Sequence, residues 1–289
     1  MRRVSVVVPT RNRLASLPTA LAALRRQAGD PRELELIVVD DGSSDGTGAF
    51  LAGLAATGAI VHVEGPGRGA AAARNAGIGR AAGPIIACTD DDCEVPPDWA
   101  SRLRERLIDP GVVAVGGRVV AAGDASRPAR LSQAITNGIG HALNGDGPEG
   151  VFLTSNNVAY RADALRAAGL FDEAFTAAGG EERELHERLR ARGGRLVYAP
   201  DIVVTHRPAM TWSGFVRQQA AYGRGSRLYY RRARHLRGPR PRAMSPGQYW
   251  RAFAAALADA RPGDRLALAL GLPLSQAAVA WGYLRGPQP

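Results

Sequence analysis

Three neighbouring carboxylates, Asp90, Asp91 and Asp92, follow the apolar run Ile85-Ile86-Ala87-Cys88. Like charges at that density repel, so they stay ionised only beside solvent, hydrogen-bond donors or a cation. Oxygen ligation of a divalent metal is one chemistry they allow, and a solvated acidic turn is the other. Asp40-Asp41 close a second apolar run, and Glu181-Glu182 follow Gly179-Gly180 where a helical pattern begins. His206 stands just beyond a third run, 202–204. Carboxylates and imidazoles hold metals and move protons. Acids in a first helical turn also complement the helix dipole, so Glu181, Glu182 and Glu184 have a structural reading as well.

These groups act together only on a scaffold that gathers them. The runs 4–8, 34–39 and 85–88 read as buried strands, ending at Pro9, Asp40 and Thr89. Leu14, Leu17, Leu21 and Leu24 recur at three- and four-residue intervals, which predicts a helix stopping near Gly29. Further helices are predicted through Phe50 and Leu54 and over 70–82, with a short strand at 60–63. This alternation predicts an α/β fold with a mostly parallel, doubly wound sheet, whose strand carboxyl ends meet at one edge. Downstream, helices are predicted at 99–107, within 129–143, over 181–192 and over 212–237, and strands at 112–120 and 202–204. The segment 153–160 mixes polar and apolar residues and is expected to return to the site.

The chain has 289 residues and a net charge of +10, and all 37 of its basic residues are arginine. Without lysine there is no Schiff base and no Walker-type phosphate loop. Gly65-Pro66-Gly67-Arg68-Gly69 lacks the spacing of a dinucleotide fingerprint. A basic surface favours an anionic partner, a nucleoside diphosphate or an acidic lipid surface. The arginines do not form a nucleic-acid module with stacking aromatics, so no nucleic-acid partner is expected. Cys88 and Cys93 read as small core thiols of a reducing compartment, and the run 4–8 is too short for a signal peptide. The expectation is a cytoplasmic protein, with association at the inner face of the membrane left open.

Taken in order, several motifs resemble glycosyltransferase family 2 over roughly residues 4–225. They are Val6-Val7-Val8-Pro9-Thr10-Arg11-Asn12-Arg13, Val38-Val39-Asp40-Asp41-Gly42-Ser43-Ser44, Ala73-Arg74-Asn75, Thr89-Asp90-Asp91-Asp92, Gly180-Glu181-Glu182, Tyr198-Ala199-Pro200-Asp201 and His206-Arg207. The resemblance implies a GT-A fold, Rossmann-like with helices flanking the sheet, plus a helical C-terminal extension. It divides the chain into a catalytic domain, 1–225, with a nucleotide-binding half 1–95 and an acceptor half 96–225. Residues 226–289 form an arginine-rich linker and C-terminal helices. It implies inverting transfer from a UDP- or dTDP-linked sugar to a hydroxyl on a glycan, lipid-linked or small-molecule acceptor.

Carried over by position, Pro9, Thr10, Arg11, Asp41, Arg74 and Asp90 bind the nucleotide. Asp92, His206 and Asp90 are implied metal ligands, for Mn²⁺ or Mg²⁺. Of the acidic pair, Glu182 is expected as the base, ahead of Glu181 and then Glu184. The family's usual pair is glutamate followed by aspartate, so Glu181-Glu182 departs from it by one methylene. Asp91 takes no assigned role. A catalytically silent nucleotide-sugar-binding domain and a nucleotidyltransferase are the rival readings. The apolar segment 266–284, broken by Pro273, Ser275 and Gln276, reads as an interfacial or re-entrant helix on an anionic membrane. Packing on the catalytic domain or in a homodimer is the other reading.

Overall fold

The computed structural model describes residues 3–145, 147, 149–177, 179–236 and 243–286. Strands Val4–Thr10 (β1), Leu34–Asp40 (β2), Val61–Glu64 (β3) and Ile85–Cys88 (β4) alternate with helices Leu17–Arg25 (α1), Thr47–Ala56 (α2) and Ala70–Arg80 (α3). Strands β1, β2 and β4 are covered on both faces, which is why they are unbroken apolar runs. Val6 and Val8 face the layer holding Leu17, Leu21 and Leu51, whereas Val7 faces Ala73 and Ile78. Strand β1 pairs in parallel with β2 and β4, and β2 with β3.

The second half is mixed. It contains Cys93–Glu94 (β5), Trp99–Arg106 (α4), Val112–Ala121 (β6), Arg127–Asn144 (α5), Val158–Arg161 (β7), Ala162–Ala167 (α6), Glu181–Ala191 (α7) and Arg195–His206 (β8). All eight strands form one sheet in the order β3-β2-β1-β4-β7-β6-β8-β5. Strand β7 runs antiparallel between β4 and β6, while β8 is parallel to β6 and β5 antiparallel to β8. Because β7 is reversed, the chain enters it at the edge where β1, β2, β4, β6 and β8 end. The loop before β7 therefore joins Thr10, Asp41, Asp90 and His206 at one rim.

Two elements are longer than their local patterns predict. Strand β8 begins at Arg195 rather than Ile202, and a register shift between Gly117 and Arg118 absorbs its irregular middle. Asn157 fastens that irregularity: its Nδ2 donates to the carbonyls of Arg118 and Ile202, each at 2.9 Å, while its Oδ1 accepts from Trp99 Nε1. Helix α5 is continuous despite Gly138 and Gly140. A Cβ on Gly138 would lie 2.2 Å from the Ala252 carbonyl, so this glycine serves a close helix crossing and does not end the helix.

Helix Trp212–Ala233 (α8) runs unbroken through residue 225. Pro246–Asp259 (α9) starts with a reciprocal Ser245–Gln248 capping box and lies on α5. Arg265–Arg285 (α10) lies on α8 and continues through Pro273. The arginine- and proline-rich stretch 237–242 of the expected linker lies outside the described residues.

Candidate active site

One cavity of about 1030 Å³ opens at the strand-end rim. Pro9, Thr10, Arg11, Asp41, Arg74, Asp90, Asp92, Glu181, Glu182 and His206 all line it. Beside Thr10, Asp41 uses both oxygens to hold the glycine loop, accepting from the amides of Gly67 at 2.7 Å and Gly69 at 2.8 Å. Asp40 instead closes its own turn, accepting from the Ser43 amide at 2.9 Å. Asn12 clamps the loop after β1 to the loop after β2. It takes a left-handed backbone, receives the Ser44 amide at 2.7 Å and donates its own amide to Ser43 Oγ.

Arg74 is the central cation. It is 2% exposed and donates to Asp90 Oδ1 at 2.8 Å and Glu181 Oε1 at 3.3 Å. Burial acts against its charge, but Asp90 and Glu181 outweigh it and raise its pKa further above the usual range. Glu181 Oε2 accepts from the Gly179 amide at 2.9 Å, so both of its oxygens are engaged. Glu182 differs. It lines the cavity with Oε2 buried and without a partner, and burial, reinforced by the Glu181 charge, lifts its carboxyl to about 8. Glu184 is not on the cavity wall: its carboxylate is taken by Arg188 at 2.6 Å.

Elsewhere on the cavity wall, His206 Nε2 sits 3.2 Å from Asp92 Oδ1. Burial works against a charged His206, but the hydrogen bond and charge of Asp92 outweigh it and raise the imidazole. Burial likewise pushes Asp92 up, and His206 with Arg13 holds it below the usual carboxylate range. Gln133 Oε1 lies 3.1 Å from His206 Nδ1 and accepts its proton, which orients the ring with Nε2 toward Asp92. Among the described residues the donors that converge are Asp92, His206 and Cys93; Asp90 is not among them. Cys93 is fully buried, and burial with the charges of Asp90 and Asp92 raises its thiol well above the usual value, so it stays protonated. An oxygen and an imidazole nitrogen with a fixed tautomer fit Mn²⁺ or Mg²⁺.

Asp91, given no role by the sequence, is buried on the cavity wall and pairs with Arg13 at 3.7 Å. Burial lifts its carboxyl to about 7. Gln133 and Asn12 hold other residues of the cavity rim in place and were not singled out from the sequence. Asn12 sat inside a recognised motif, whereas Gln133 carried no local signal, since its partner is 73 positions away.

Away from the acids, the cavity wall mixes apolar and aromatic side chains, among them Ile135, Ile139, Phe152 and Tyr222, with polar ones such as Ser132, Thr136, Gln218 and Gln276.

The family model for Glycosyl transferase family 2 matches residues 5–169, more than half of the chain. The chain belongs to glycosyltransferase family 2. It is 30% identical over 232 residues to the pre-mycofactocin glycosyltransferase of Mycobacterium tuberculosis, covering 77% of this chain and 46% of that protein. The glycosyltransferase AglE of Haloferax volcanii is 27% identical over 227 residues, covering 77% and 72%. The chain thus spans about half the length of its mycobacterial relative. Its architecture is GT-A. The mannosyltransferase PcManGT from Pyrobaculum calidifontis, solved with GDP-Man and Mn²⁺, superposes with a TM-score of 0.64 at 23% identity over 98% of this chain and 84% of that one. TarS from S. aureus gives a TM-score of 0.61 at 15% identity, over 97% and 89%.

Proposed function

We propose that this family 2 chain is an inverting, metal-dependent glycosyltransferase that moves a sugar from a UDP- or dTDP-linked donor to an acceptor hydroxyl. The observation that carries this is the division of labour within one cavity. Glu181 is locked to Arg74 and the Gly179 amide, while Glu182 keeps a buried, unpartnered oxygen. Glu182 is therefore the base: it takes the acceptor proton as the acceptor oxygen bonds to the anomeric carbon and the sugar–phosphate bond breaks on the opposite face. A carboxyl lifted by burial is a stronger base once it has lost its proton.

Asp92 and His206 would hold the cation, which supplies Lewis-acid charge to the departing diphosphate. Asp90 serves the ribose end, because Arg74 already holds its Oδ1. The loop pinned by Asp41, together with Pro9, Thr10 and Arg11, would line the base. The mixed apolar and polar wall beyond the acids is where a glycan, lipid-linked or small-molecule acceptor would sit. Two free, buried thiols fit a reducing, cytoplasmic setting.

A thermal-shift screen of UDP-, dTDP- and GDP-linked sugars, with and without Mn²⁺, tests the donor assignment. A donor at about 100 times its Kd adds about 2.7 kcal/mol to the native state. The expected result is a Tm rise for a UDP- or dTDP-sugar that depends on the cation. A rise confined to GDP-sugars, or for no donor, refutes the assignment.

A further inference from the structure

Helix α10 is amphipathic in the wrong sense for water. The side packed on the protein carries Leu268 but otherwise small or polar residues: Gly271, Ser275, Ala278 and Gly282. Ser275 Oγ donates to Gln219 Oε1 at 2.7 Å, a buried polar contact with α8. The backbones nearly touch: a Cβ on Gly282 would lie 2.0 Å from the Ala220 carbonyl, and one on Gly223 would lie 2.0 Å from that of Val279. The large side chains point away. Leu266, Leu270 and Leu284 are each at least 70% exposed, and Trp281 is half exposed. With Leu274 they form a stripe at three-, four- and seven-residue spacing along the helix. Trp250 on α9 is 69% exposed too. A helix facing water buries its apolar stripe, so this face belongs against a partner.

Charge decides which partner. Residues 226–289 hold eleven arginines against two acids, Asp259 and Asp264, whereas 1–225 hold 26 arginines against 25 acids. Nine of the ten net positive charges therefore lie in the C-terminal segment that carries the apolar face. A second copy docked through this face would bring two strongly basic segments together. An anionic lipid surface takes both the apolar stripe and the charge. Arg285 lies 5.0 Å over the Trp281 ring, an aromatic–cation pair suited to the headgroup boundary. Pro262–Arg285 has the length and hydropathy of a membrane span, but its inner side is already packed on α8. A helix held along one side by α8 is placed to lie on a bilayer rather than cross it.

We propose that α10, with the adjoining edge of α9, docks in the surface of an anionic lipid bilayer. Val279, Ala280 and Tyr283 of the same helix line the cavity, so docking sets the acceptor end at the lipid boundary.

The test is flotation of the full chain with phosphatidylcholine vesicles containing about 30% phosphatidylglycerol, at about 0.1 M salt. Pure phosphatidylcholine vesicles run in parallel, as does the triple variant Leu266→Glu, Leu270→Glu, Leu274→Glu. These leucines are exposed, so the variant is expected to fold, checked by circular dichroism and by nucleotide-dependent thermal shift. The expected result is that the parent floats with the anionic vesicles, about tenfold less with neutral ones, and that the variant loses about tenfold. Equal flotation of parent and variant overturns the proposal, as does a parent that binds neither vesicle. A parent dimer in sedimentation that the variant reduces to monomer, without vesicle binding, assigns the face to a second copy and also overturns it. Donor hydrolysis in vesicle-free buffer reports on catalysis separately.

Discussion

Replacing Glu182 by glutamine keeps the side-chain shape and removes the ionisable proton. In the folded chain this carboxyl is lifted from its ordinary 4.5 to about 8 by burial and then by Glu181. Between those values the native state holds a proton that the unfolded chain has lost. Stability therefore falls as pH rises through that window and levels off above it. At neutral pH the accumulated cost is about 3 kcal/mol, as an order of magnitude. Glutamine abolishes that cost but buries an amide donor with no matched acceptor, which takes back about 1–3 kcal/mol. The net expectation is a gain of about 1 kcal/mol, or a Tm rise of about 2–4 °C.

The pH dependence is sharper than the absolute shift. The parent Tm should fall between about pH 5 and pH 8, and Glu182→Gln should flatten that fall while lowering kcat by about 10²–10⁴-fold. Differential scanning fluorimetry across pH, paired with a nucleoside-diphosphate release assay, reads both. An unchanged pH slope would show that Glu182 holds no extra proton in the native state. Unchanged turnover would remove it from the mechanism.

Arg74→Met should cost about 3–5 kcal/mol, because it leaves the buried Glu181 carboxylate and Asp90 without their shared cation; a loss below about 1 kcal/mol in denaturant unfolding would contradict that role. Gln133→Leu should weaken Mn²⁺ binding about 10–100-fold in calorimetry with little change in Tm, since it frees the His206 tautomer without emptying the core; unaltered affinity would refute the orienting role.

Much of the first half was legible because local pattern and burial coincide there. Strands covered on both faces have to be apolar throughout, so β1, β2 and β4 announce themselves, and the acids that close them mark the rim. Helices α1, α3 and α7 also fall within a few residues of their expected ranges, since an amphipathic period needs only near neighbours. Six-residue α6 is too short to show a period, and the first part of β8 hides behind an irregularity that only Asn157 resolves.

The sequence alone determined which residue types are available: a lysine-free chain, acids at successive strand ends, a histidine closing the last strand. The tertiary structure decided what each is free to do. Glu181 and Glu182 are identical and adjacent, and nothing local separates them. Arg74, more than a hundred positions earlier, occupies one and leaves the other with an open oxygen. Likewise the segment 266–284 is apolar in any context, but which side faces out depends on where Gly223 and Gln219 let α10 approach α8. Composition and periodicity are properties of neighbours along the chain. Partnership is a property of neighbours in space, and both the unpartnered carboxylate and the exposed apolar face depend on it.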